Sequence, residues 1–172
     1  MDLINKYSKI EDEEFINSLT EESLSNLIDD LCEYWFENNK EKGESKFSFR
    51  VWYSFEYDIW RLGEDLRLLL KKKKSLKKSI LIQNTIIDIL KNDKYGKGRQ
   101  TFTLLIGELK CDLMKDDIKM LLNDKDVYGH LIISLRKLKI KGFDEKMKTI
   151  INSEKGWIKV EAKKYLDKSA SW

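Results

Sequence analysis

The second half of this chain echoes itself. Read from Phe102 and again from Leu131, the same residue classes return at a spacing of 29: Ile106 answers to Leu135, Leu109 to Leu138 and Ile118 to Met147. Leu121, Leu122 and Asn123 answer in the same way to Ile150, Ile151 and Asn152. Each unit holds two short amphipathic segments, too small to bury an apolar face alone, so neighbouring units must stack to close a common core. The echo extends backwards with a slip, since Ile87, Leu90, Asn92 and Asp93 match Ile118, Leu121, Asn123 and Asp124 at a spacing of 31. The short polar residues ending these units are expected to close one helix and cap the next. No proline interrupts any of it, which leaves long helices permitted throughout.

The remaining segments read as helices by the same periodicity. Thr20, Glu21 and Glu22 open a run through Leu24, Leu27, Ile28, Leu31, Cys32, Tyr34 and Trp35, which should stop near Asn38 and Asn39, before a polar loop at 40–46. Ser75 is placed to cap a helix reaching Leu90, and the glycine-containing stretch 94–98 is a turn. Helices follow over 100–110, 116–122, 127–139, 143–152 and 157–167.

This arrangement, over residues 76–168, resembles the HEAT-repeat family, although the proline usual in the first helix of a HEAT unit is missing. The resemblance implies an all-α fold: a right-handed α-solenoid of antiparallel hairpins, with about eight or nine helices in a single domain. Within that domain, residues 1–46 are acidic amino-terminal helices, 47–74 a long aromatic helix, 75–168 the hairpin repeats and 169–172 a tail. The tail has the look of a purification remnant and carries no functional weight.

Segment 47–60 admits two readings. Phe47, Phe49, Val51, Tyr53, Phe55, Tyr57 and Ile59 alternate with mostly polar residues, the period of a half-buried strand. Val51, Phe55, Ile59, Leu62, Leu66 and Leu69 equally follow one helix face. The helix is the expected form, because no other window alternates to supply a partner strand. On it, Trp52, Glu56, Trp60 and Gly63 would form a stripe beside the apolar face. That stripe either fills gaps between hairpins or offers an aromatic docking patch.

Charge is divided unevenly. Residues 1–46 hold thirteen acidic against five basic side chains, a net −8, and the rest hold twenty-eight basic against seventeen acidic, a net +11. The densest basic run is Lys71, Lys72, Lys73 and Lys74 with Lys77 and Lys78. Hydrophobic residues at 41% exclude a disordered chain poor in apolar groups. The longest apolar runs fall far short of a membrane span, and the first residues lack the order of a secretory signal, so the chain is expected in the cytoplasm with no membrane partner. Cys32 and Cys111 lack any CxxC spacing and read as buried thiols.

Catalytic constellations are scarce. His130 is the single histidine, which precludes an imidazole-rich metal site. Asp116 and Asp117 read as a helix cap, and Gly96, Lys97 and Gly98 lack the arrangement that cradles phosphates. No catalytic residue, metal, cofactor or small-molecule substrate is therefore expected, and the chain reads as a binding protein rather than an enzyme.

In size, composition and architecture it resembles the immunity proteins of bacterial contact-dependent and polymorphic toxin systems. That resemblance implies a cognate toxin, itself basic, whose active site is occluded. The residues expected to meet it are Asp29, Asp30, Glu33, Glu37, Trp52 and Glu56. The alternative is a nucleic-acid-binding helical-repeat protein using the Lys71–Lys78 patch together with Lys137, Lys139 and Lys141.

Overall fold

The computed structural model describes residues 3–40, 44–45 and 52–172. Among them the chain is helical, apart from one two-residue antiparallel ladder between β1 (Glu44–Ser45) and β2 (Trp52–Tyr53). Two short helices, α1 (Leu3–Tyr7) and α2 (Glu13–Ser18), precede α3 (Glu21–Asn39). The ladder leads into α4 (Ser54–Lys72), followed by the single turn α5 (Lys74–Lys77) and then α6 (Ile80–Lys91). A 3-10 segment, Asp93–Arg99, leads to α7 (Gln100–Leu109), α8 (Lys115–Leu121), α9 (Tyr128–Leu138), α10 (Asp144–Ser153) and α11 (Gly156–Ser169). No helix among the described residues is long and apolar enough to cross a membrane.

The helix starts follow from local chemistry. Thr20 caps α3 by a reciprocal box: its hydroxyl accepts from the Ser23 amide at 3.1 Å, while Ser23 Oγ accepts from the Thr20 amide at 2.8 Å. Leu24, Leu27, Ile28, Leu31, Cys32 and Trp35 then fall on one buried face, and Tyr34 turns outward. Helix α6 starts later than its sequence suggests. Ser79, not Ser75, caps it, because Ser79 Oγ accepts from the Ile82 amide while donating to Glu21 at 2.7 Å, a bond across to α3 that no local pattern reveals.

Helix α4 lies at the centre and packs against α3, the 3-10 segment and α7. Phe55, Ile59, Leu62, Leu66 and Leu69 line its buried face, as the three-and-four spacing predicts. Its start differs from the expected helix over 47–74. Trp52 and Tyr53 are extended and pair with Ser45 and Glu44, while 47–51 lie outside the described residues. Each fully buried leucine or isoleucine on this face contributes about 1.5–3 kcal/mol.

The 29-residue echo has a backbone counterpart. Lys110 and Lys139, 29 apart, both take left-handed conformations after α7 and α9, with φ of 59° and 57°. After each, the next amide closes the helix in the same way: Cys111 N–H donates to the Ile106 carbonyl and Ile140 N–H to that of Leu135. Helices α7 and α9 pack together, as do α9 and α11. At the first contact a Cβ on Gly107 would stand 2.9 Å from Ser134 Cα, so the close approach requires glycine. The asparagines behave only partly as expected. Asn92 closes α6 and the Asn123 amide folds back onto the Lys119 carbonyl, but Asn152 lies inside α10, and α9 and α11 begin without side-chain caps.

Candidate functional site

Helix α3 presents the acidic face. Asp29, Asp30, Glu33 and Glu37 are exposed along it, opposite the buried stripe. They are not electrically equivalent. Glu33 accepts from Lys94 Nζ at 2.5 Å and from the Tyr95 hydroxyl at 3.0 Å, and the Lys94 bond holds its carboxyl below the ordinary range. Glu37 pairs with Lys40 at 2.6 Å. Asp29 faces more negative charge instead: desolvation, then Asp88 from α6, then the adjacent Asp30 push its pKa up. Among the described residues no cation pairs with Asp29, Asp30 or Asp88. Asp88 was not legible as part of this face, since it lies 59 positions from Asp29 with no local signal linking them.

A groove of about 440 Å³ runs beside this face, lined by Leu3 and Lys6 of α1 and by Asp30, Glu33, Tyr34 and Glu37 of α3. The α1 side is fixed by Tyr7, whose hydroxyl donates to Asp65 on α4 at 2.6 Å and whose ring meets Trp35 edge-on.

Glu56 does not belong to an exposed face. It is 5% exposed, and both carboxyl oxygens are occupied: Oε2 accepts from the Tyr53 amide and Oε1 from the Lys97 amide, each at 2.8 Å. The carboxyl group thus joins the start of α4 to the 3-10 segment, where Gly96 turns through a φ of 50° to make room for it. The stripe expected around it is largely a packing seam. Thr101 Oγ donates to the Trp60 carbonyl, and Gly63 lies against the same threonine. Trp52 is half-buried and meets Trp60 edge-on at 6.5 Å, and Tyr57, 47% exposed, stacks on Trp60. These contacts tie Trp52 to α4. None of the ring contacts among the described residues ties it to the α3 carboxylates.

The basic run divides by role. Lys73 is structural: its ammonium donates to the carbonyls of Ile16, Asn17 and Leu19 at 2.5–2.9 Å, closing the end of α2. Lys137 pairs at 3.3 Å with Glu108, which Arg67 also holds at 2.6 Å. Burial alone would raise the Glu108 pKa, but the Arg67 hydrogen bond and the two cations bring it below its ordinary value.

Other singled-out residues serve the fold. His130 lies against the Trp157 ring at 5.0 Å. Asp117 pairs with Lys91 at 2.9 Å and Asp116 with Lys119, both within the first turn of α8 rather than at its cap. Cys32 and Cys111 are buried thiols whose pKa values burial raises, that of Cys111 to about 12. Trp172, in the supposed tail, packs edge-on to Tyr165. Among the described residues no cluster of three or more His, Cys, Asp or Glu is arranged to hold a metal ion.

Arg99 was missed by sequence reasoning. It is 1% exposed, pairs with Asp124 at 2.8 Å and donates to the Gly96 and Leu90 carbonyls. It thereby holds the end of α6, the 3-10 turn and the α8–α9 loop together.

No protein-family model matches the chain, and neither does any curated protein or solved structure.

Proposed function

We propose that the chain is a recognition module, a right-handed solenoid of helical hairpins that binds a basic protein partner through the outer face of α3. The observation that carries this reading is the cluster of Asp29, Asp30 and Asp88, drawn from two helices and without a paired cation among the described residues; burial first, and then the two neighbouring carboxylates, raise the proton affinity of Asp29. Carboxylates held near one another without cations are costly in the isolated protein and are relieved when a cationic surface docks. Glu33, Glu37 and the adjoining groove extend the face, and Trp52 supplies an apolar contact further along the molecule; Glu56 supports the scaffold from beneath. The activity best matched is that of a cytoplasmic immunity protein, which neutralises a bacterial toxin by covering the basic surface with which the toxin grips nucleic acid. Such a protein acts by occupancy rather than turnover.

The product of the reading frame adjacent to this gene is the partner to test, by stopped-flow association at two ionic strengths. The pair Asp30→Lys and Asp88→Lys should slow association about tenfold or more at low salt and much less at about 1 M, where the screening length is about 3 Å. Association unchanged by both reversals would refute the assignment of this face.

A further inference from the structure

A second charged surface lies on different elements. Lys71 in the last turn of α4, Lys74 and Lys77 in α5, Lys78 just after it, and Lys110 beyond α7 converge on one open groove of about 610 Å³. Five ammonium groups, four from residues 71–78 and the fifth from Lys110, thus face a common space, all of them exposed. Among the described residues none of the five forms an ion pair.

The surrounding cations contrast with these five. Lys73, in the middle of the same run, spends its three donors on carbonyls of the α2 end. Among the described residues Glu108 is the one carboxylate on the groove wall, and Arg67 and Lys137 already hold it. Among the described residues the five lysines therefore face the groove with no acidic group left to neutralise them. Leu70 and Leu109 form a largely buried apolar floor.

We infer that this groove seats the phosphodiester backbone of single-stranded nucleic acid. Its concave shape, with cations around an apolar floor, suits a strand laid into it better than a flat bilayer. Its volume, within the range of ordinary ligand sites, takes one or two nucleotides of a strand at a time rather than the width of a duplex, and the phosphates on either side of them meet the remaining exposed lysines. Lysine ammoniums are mobile point charges without the planar fork that reads base edges or clamps one phosphate, so the site follows the backbone and tolerates any sequence. Among the described residues no aromatic side chain lines it, and the grip is electrostatic rather than by stacking. The site shares no residue with the acidic face of α3 and stands or falls separately from it.

The test uses the full chain and a fluorescent oligothymidylate of about twelve nucleotides, a length within the usual site sizes, followed by anisotropy as salt is raised from about 50 to 200 mM. Up to five phosphate contacts give a slope of log affinity against log salt of about −3.5, close to a hundredfold loss over that range. Replacing Lys71, Lys74 and Lys77 together by glutamine should flatten the slope to about −1.4. The exposed pair Lys119→Gln and Lys148→Gln, lysines that bond to acids on their own helices and do not line the groove, should leave it unchanged. Circular dichroism verifies that both variants fold. Any one of three results overturns the proposal: no binding at about 50 mM salt, a slope that the triple variant retains, or tighter binding to a matching duplex or to phosphatidylserine vesicles than to the single strand.

Discussion

Glu56 makes the sharpest test of the fold, because one carboxyl group serves the amides of Tyr53, three residues before it, and of Lys97, 41 residues after it, with a bond of 2.8 Å to each. A hydrogen bond to a charged acceptor contributes about 1.5–3 kcal/mol, and a buried amide left without a partner costs a similar amount. Glu56→Ala removes both bonds, for a loss of about 3–6 kcal/mol. Glu56→Gln keeps one carbonyl oxygen, so whichever way the amide turns, one N–H is orphaned and about half of that loss remains. With a urea dependence of about 2 kcal/mol per molar, the unfolding midpoint should fall by about 2 M for alanine and about 1 M for glutamine. The same geometry predicts coupling to Gly96, since a Cβ there would meet Glu56 Oε1 at 2.0 Å. Gly96→Ala should therefore be severe in the wild type. In a Glu56→Ala background it should cost only the penalty of a backbone region, φ 50° with ψ −133°, that is nearly restricted to glycine, about 1–3 kcal/mol. Urea melts of the four proteins decide it: a glutamine variant as stable as wild type, or strictly additive alanine substitutions, would refute the two-amide clamp.

Arg99→Met should lower stability by about 3–5 kcal/mol, because it leaves Asp124 without its cation and strips the Leu90 and Gly96 carbonyls of their donor; a loss under about 1 kcal/mol in a urea melt would contradict that role. Asp29→Asn should raise the melting temperature at neutral pH. The folded protein binds the Asp29 proton more tightly than the unfolded chain does, so the wild type loses stability as pH rises through the raised folded value, and the advantage of asparagine should vanish below about pH 3.9. Neither Cys32 nor Cys111 should react with a thiol reagent at about pH 8 in the native protein, while both should react once it is unfolded; rapid native labelling would show an opening that the packing does not. Lys139→Gly should stabilise by about 0.5–1 kcal/mol, since glycine takes the positive φ without strain, and calorimetry at the melting transition can register it.

What could be read ahead of the structure was whatever repeats or stays local. Helices α7 to α11 fall within a few residues of their expected spans because apolar spacing alone fixes which face is buried. The Thr20 start of α3 was legible because both partners of its capping box lie within three residues. Features decided by distant segments were not. The cap at Ser79 depends on Glu21, and the extended Trp52 and Tyr53 depend on Glu44 and Ser45. The candidate site followed the same division. The exposed carboxylates of α3 could be found by helical spacing, whereas Asp88 joins them only because α6 packs on α3. Glu56 was placed on a surface because its place in the stripe gives no hint of the Lys97 amide beneath it. Lys73 looked identical to its neighbours in the run, and only the position of the α2 end sets it apart.

That last distinction bears on chemical modification of the lysine run. Acetylation at Lys71 or Lys74 would erase charge from an open surface and leave the scaffold intact. At Lys73 the same reaction would abolish the tether holding the end of α2 to the α4–α5 junction. A single acetyltransferase working along this run would thus produce two phenotypes, weakened anion affinity from Lys71 and Lys74 and a loosened amino-terminal arm from Lys73.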